Sequence, residues 1–287
     1  MIAMYKKELR SYFTGMTGFV FIGFLLLMAG IFVTAYNLLL AYASLSYAIG
    51  SIQLILMLTV PILTTRILAE ERRNRTDQLL YALPIPLYKT VLAKYLAMLT
   101  VFLIPTAIIA LYPLILSVFG SVPLFPSYAS LLGFFLLGAA LIALCMFLSS
   151  LTDSQVIAAV ISFGAVLFLY LLPVLATMIP SNAEASLFAF VLLSILIAAV
   201  LYFLSQSLLL AVPGGAVPLL ATFTVYFANA DLLKGVFPKL LTMLAIFDRF
   251  ETFIGGIFDL SAIVYFLSVV LFFVFLTVQV LEKRRYL

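Results

Sequence analysis

Any chemistry in this chain must be done without histidine, since its 287 residues contain none. That absence removes imidazole acid–base catalysis, His–carboxylate metal triads and the Ser-His-Asp arrangement together. The single cysteine, Cys145, lies inside an apolar run, so neither an intrachain disulfide nor a cysteine-based zinc site can form. No Gly-x-x-x-x-Gly-Lys-Ser/Thr run occurs, so the chain cannot cradle nucleotide phosphates by itself. No catalytic residue and no metal-ligand set is expected. A membrane enzyme acting on lipids would need acid–base or metal-binding residues gathered at one membrane depth, and the sequence offers no such group. What remains is charge and amphipathic helix.

The densest charge lies at 69–94, AEERRNRTDQLLYALPIPLYKTVLAK. Thr76 or Asp77 can cap a short helix over 77–83, whose first turn carries the acidic residue that the helix dipole favours. Pro84 and Pro86 stop it, and a second helix starts near Leu87 and runs into the following apolar segment. Leu79, Leu80, Tyr81 and Leu83 then face a depth with no bilayer to enter. Two readings are open: a protein partner covers them, or they dip into the headgroups and pack on neighbouring spans.

The elements that position this segment are membrane spans. Apolar residues make up 66% of the chain and charged ones 9%, against roughly 45–50% and 25% in a soluble domain. No polar stretch is long enough to fold separately in water, so the expectation is an all-α, polytopic helical membrane protein forming a single domain over 1–287. Runs near the roughly 20 residues needed to cross about 30 Å of hydrocarbon occur at about 17–40, 47–68, 91–117, 129–150, 155–178 and 261–281. Residues 187–212 read as a further full span and 216–233 as a shorter one, separated by a Pro-Gly-Gly-Ala-Val-Pro turn at 213–218. The pair 187–233 is either two crossings or a re-entrant hairpin, and eight crossings are preferred because 187–212 is too long and apolar to lie on the surface.

Twelve of the fifteen Lys and Arg residues fall in three clusters: Lys6, Lys7 and Arg10; Arg66, Arg72, Arg73, Arg75, Lys89 and Lys94; and Lys283, Arg284 and Arg285. Cytoplasmic loops hold the excess positive charge, so all three clusters lie inside only if the number of crossings is even. The net charge of +4 marks orientation in the plasma (inner) membrane, with both termini cytoplasmic, and no nucleic-acid partner is expected. Ala41-Tyr42-Ala43 mimics a signal-cleavage site, but the apolar run before it, about 24 residues, exceeds the roughly 7–15 of a signal peptide.

Residues 1–13 place Met4, Tyr5, Leu9, Tyr12 and Phe13 on one helical side and Lys6, Lys7 and Arg10 on the other, the pattern of an interfacial helix. The basic residues could equally serve only to fix orientation. Asp153, with Thr152 and Ser154, reads as a helix cap, and Pro105 and Pro113 as kinks in the third span. Segment 231–260 is too charged to span and too apolar to be a free loop. It reads as interfacial or re-entrant helices on the outer face (234–260), broken at Gly255-Gly256, or as a surface amphipathic helix without gating duties.

A span ending in Arg66, then Ala69-Glu70-Glu71-Arg72, Thr76-x-x-Leu79-Leu80, Pro84 and Lys94, resembles the ABC-2 type permease family. Arg75 and Gln78 stand where the family often has glycine and glutamate. Residues 5–13 resemble the connecting helix of these permeases, assigned here to 1–16. Residues 247–253, Gly255, Gly256 and Asp259, with the basic ending, are similar to the gliding-motility and copper-maturation branch. The resemblance covers about 1–180 and 245–287, leaving 181–235 as an added helix pair.

The resemblance implies that the 69–90 loop carries the coupling helix, with Glu70, Glu71, Arg72, Thr76, Asp77, Leu79, Leu80, Leu83 and Pro84 meeting the ATPase. It places Phe247, Arg249, Phe250, Glu251, Phe253, Gly255 and Gly256 at an outer-face gate. It implies a cytoplasmic ABC ATPase dimer, which would hold the ATP and magnesium, and a second permease, identical or related. An extracytoplasmic auxiliary subunit would complete the set. Two functions fit: an exporter, and a permease-like subunit passing ATP-driven movement to an outer partner. With no charged residue expected inside any clear span, the cargo would be hydrophobic, lipidic or peptide-like.

Overall fold

The computed structural model describes residues 1–73, 86–205 and 207–285. Among them the secondary structure is helical, with no strand. The chain divides into two compact units, 1–167 with 249–287, and 168–248.

The first unit opens with α1 (Ile2–Thr14), α2 (Thr17–Val33), α3 (Ser46–Arg73), α4 (Leu87–Ile109), α5 (Tyr112–Phe119) and α6 (Leu124–Leu151). Next come the first turns of α7 (Gln155–Met178). Among the described residues, six stretches are long and apolar enough to cross a membrane: Thr17–Leu39, Ser46–Ala69, Leu87–Phe119, Leu124–Leu151, Gln155–Met178 and Leu260–Arg284. The six apolar runs of the sequence thus stand as helices. The third is broken rather than merely kinked: α4 stops at Ile109, and Pro113 enters the first turn of α5, where its missing N–H is no loss.

α6 is the buried centre. Its Gly138, Ala139, Ala140 and Cys145 leave room for neighbours, and Phe102 of α4 lies against Gly138 so closely that any Cβ there would collide with the ring. Phe102 also stacks on Phe135, with centroids 5.9 Å apart. Small residues matter here because lipid supplies no hydrophobic force between helices, and close packing must hold them. α2 continues as a π-turn over Thr34–Leu39. Its Asn37 amide donates to the carbonyls of Tyr42 (2.7 Å) and Ser44 (3.1 Å), fixing the elbow into α3.

Tyr128, near the start of α6, donates to the Ala110 carbonyl just past α4, so α6 begins where α4 finishes. Arg284, near the end of the last helix, α12 (Leu260–Arg285), bonds the Asp153 carboxylate at 3.0 Å and the Leu151 carbonyl at 2.8 Å, at the far end of α6. α1 meets the start of α4. α1 and the C-terminal end of α12 therefore lie at one end of this bundle. Asp153 pairs with Arg284, and Ser154, beside it in the same cap segment, accepts from the Ile157 N–H in the first turn of α7.

The second unit holds the remainder of α7, α8 (Ala183–Ser205), α9 (Leu208–Ala228), a 3₁₀ turn (Ala230–Leu233), α10 (Val236–Leu244) and the first residues of α11 (Ile246–Ile254). The expected turn at 213–218 is corrected here. The chain reverses near Ser207, and Pro213 and Pro218 lie inside α9. A Cβ on Gly215 would sit 2.6 Å from that of Ala198 and 3.1 Å from the Ser194 carbonyl. The glycine that reads as a turn signal is thus a point of close helix approach, and neighbouring helices let the prolines stay helical. At 23 and 21 residues, α8 and α9 are about 34 and 32 Å long. Their apolar stretches among the described residues are Ala183–Ala199 and Val212–Ala228.

Candidate functional site

Three charged side chains from three helices meet at the end of the first unit where α1 lies. Lys94, two turns into α4, is 1% exposed. Its Nζ lies 2.6 Å from Glu71 Oε1 of α3 and 3.1 Å from Glu8 Oε1 of α1. The Glu8 side chain is 8% exposed and that of Glu71 20%. Taking an ammonium out of water costs several kcal/mol, and two carboxylates at hydrogen-bond distance offset it. Lys7, exposed, lies 3.9 Å from Glu8 and brings the group toward neutrality.

Uncharged contacts hold α1 in the same place. The Tyr5 hydroxyl shares a 2.9 Å hydrogen bond with Thr100 of α4, and Tyr12 donates to the Leu63 carbonyl of α3 at 3.0 Å. Tyr5, Glu8 and Tyr12 form one helical stripe. Tyr12 is buried while Met4, Leu9 and Phe13 are half-buried and Lys6, Lys7 and Arg10 exposed. The amphipathic pattern of α1 is therefore present, but its covered side rests on helices and carries an acid. Glu8 is the residue that sequence reasoning missed, and the signal was a carboxylate set between two tyrosines on the apolar side.

Lys94 also corrects the expectation of spans free of charge, since it is buried within the Leu87–Phe119 span. Of the expected coupling residues, Glu71 joins this cluster. Glu70 and Arg72 belong to the backbone of α3. The expected 77–83 helix, with Thr76, Asp77, Leu79, Leu80, Leu83 and Pro84, lies outside the described residues.

The residues expected at a gate fall mostly on α11, at the opposite end of α3. Phe250 and Phe253 are fully buried. The Phe253 Cβ lies 2.6 Å from where a Cβ on Gly133 would be, and its carbonyl accepts from Ser130 Oγ at 3.0 Å. Ser130 in turn shares a 2.8 Å bond with Ser46 of α3. Arg249 stands over the Tyr265 ring at 5.6 Å, while Glu251 and Gly255 are exposed. Gly256 takes φ +75 against Pro126, ending the segment. In the second unit, Phe247 is buried and meets Tyr170 edge-on.

A family model described as ABC-2 family transporter protein matches residues 4–210. This chain belongs to that family. As an ABC-2 membrane protein it is a permease subunit, a membrane component of a transporter whose family works with an ABC ATPase. The match takes in α8, which the resemblance read from the sequence leaves out, and ends before α10, α11 and α12. No curated protein matches the chain, and no solved structure does. Within the cluster, Glu71 belongs to the last turn of α3 and Lys94 lies two turns into α4, on either side of the connection between them.

Proposed function

We propose that this permease subunit is driven by a separate ATPase pair docking on residues 77–83, and that it exports a hydrophobic, lipidic or peptide-like cargo. The observation that carries this reading is the Lys94–Glu8–Glu71 cluster. It ties the two helices that frame the 74–86 connection to each other and to α1. A push delivered to the connection reaches α3, α4 and α1 as one body, a rigid-body route of the kind that packed helices transmit. The protein sits in the plasma membrane with the α1 end cytoplasmic, where Lys and Arg gather. The α8–α9 pair crosses twice, giving eight spans.

The cargo class rests on the spans Thr17–Leu39, Leu124–Leu151 and Gln155–Met178, which hold no charged residue. Lys94, in the Leu87–Phe119 span, is occupied by its carboxylates. A second permease copy or relative completes the pathway, with α11 as its outer gate.

The test is purification with associated chains, followed by Leu79→Asp with Leu80→Asp. An ATPase that copurifies with the native chain and is lost from the double variant supports the reading. An ATPase retained by the double variant, with turnover and transport intact, overturns the docking assignment. ATP turnover that moves no compound but loads an outer-face partner overturns the exporter assignment.

A further inference from the structure

We propose that the part of α7 in the first unit, residues 155–167, has a second register, one helical turn closer to the 152–154 connection, in which Ser162 pairs with Ser149. Both serines are fully buried, and among the described residues neither hydroxyl has a partner at hydrogen-bond geometry. An unpaired hydroxyl is costly in an apolar interior. The usual remedy inside a helix is a bond back to the carbonyl three or four residues earlier. Thr64, Thr106, Ser130 and Ser150 all make it, at 2.6 to 3.0 Å. Ser149 and Ser162 do not.

Their positions give the reason. Ser162 faces the Cys145 sulfur, a poor acceptor that leaves the hydroxyl unsatisfied, and Thr64 of α3 flanks the same sulfur. Ser149 follows Cys145 by four residues, on the same side of α6 and about 6 Å nearer the connection. Since α6 and α7 run antiparallel through three residues, the two free hydroxyls stand on facing helices, one turn out of step. An axial step of α7 by that turn brings Ser162 level with Ser149 and satisfies both at once.

The contact surface allows the step. Over 155–167 the fully buried side chains are Ala158, Ser162 and Val166, one per turn, while Val156, Val160 and Ile161 are exposed. One turn moves Val166 into the place of Ser162 and Ser162 into that of Ala158. Each exchange is between small side chains, the condition for two discrete registers of packed helices. The connection from Leu151 to Gln155 reaches about 14 Å when extended, enough to follow. Arg284 holds the present register, because its guanidinium takes the Leu151 carbonyl of α6 and the Asp153 carboxylate of the connection together.

The inference does not depend on an ATPase and is tested on the full-length chain in detergent, by counting free thiols after mild oxidation with iodine. Native Cys145 is the fixed reporter. Val166→Cys should close an intramolecular disulfide with it, since the shifted register brings residue 166 beside the sulfur. Ala158→Cys, one turn away in the other direction, should stay reduced. Adding Arg284→Gln to Val166→Cys should speed closure about twofold to fivefold, the worth of an exposed ion pair. Adding Ser149→Ala instead should slow it about twofold to tenfold, the worth of one hydrogen bond. Val166→Cys staying reduced, or oxidising no faster than Ala158→Cys as in a merely loose helix, overturns the proposal. An unchanged rate with Ser149→Ala overturns the serine pair as its cause, and an unchanged rate with Arg284→Gln overturns the latch.

Discussion

The two ends of α3 are held by different physics. At Glu71 the helix is joined to α1 and α4 through one ammonium and two carboxylates. At Ser46 and Gly50 it is joined to α6 and α11 through a serine pair, missing side chains and two buried phenylalanines. An ionic joint acts over distance, tolerates small displacements and can be broken by removing one charge. A socket of ring against glycine acts only in contact and tolerates almost none.

Thermal unfolding of single variants in detergent would break or sharpen this contrast. The largest loss is expected for Lys94→Met, on the order of 3–5 kcal/mol, because the buried Glu8 carboxylate loses the ammonium 3.1 Å away. Adding Glu8→Gln and Glu71→Gln to Lys94→Met should recover most of it. If the triple variant is no better than the single one, the joint is not ionic.

Gly133→Ala should cost about 1–3 kcal/mol, since its Cβ would overlap that of Phe253 and backbone must shift. Gly23→Ala, with nothing within 4 Å of the new Cβ, is the matched control and should be neutral or slightly stabilising. Equal losses at both glycines would remove the socket from the comparison. Ser130→Ala should cost roughly 0.6–1 kcal/mol, the ordinary value of a hydrogen bond between membrane helices. A loss larger than that of Lys94→Met would invert the contrast. The smallest effect is expected for Arg284→Gln, under about 1 kcal/mol and fading with added salt, since Asp153 is exposed.

The spans were legible because crossing a bilayer demands an unbroken apolar run, and no packing detail alters that demand. The charge cluster was legible in part. Glu71 and Lys94 stand out within a charged loop, but Glu8 is separated from Lys94 by 86 positions, and only the docking of α1 brings it there. Pro213 through Pro218 was misread because proline and glycine punctuate chains in water, whereas in lipid a glycine marks where helices touch. Phe250 and Phe253, read from the sequence as gate residues, are fully buried in a socket. Gly133, Ser130 and Pro126, which form its walls, lie more than a hundred residues earlier, and no local pattern links them to α11. The 77–83 helix, outside the described residues, rests on its sequence.

Cys145, fully buried in α6, has a consequence of another kind. A chain whose one sulfhydryl is shut inside the bundle offers no reachable thiol for disulfide exchange on either side of the membrane. The same enclosure leaves the surface blank for introduced cysteine pairs. Spin labels on such pairs, one set at the ionic joint and one at the socket, would read separately how far each end of α3 travels in a turnover cycle.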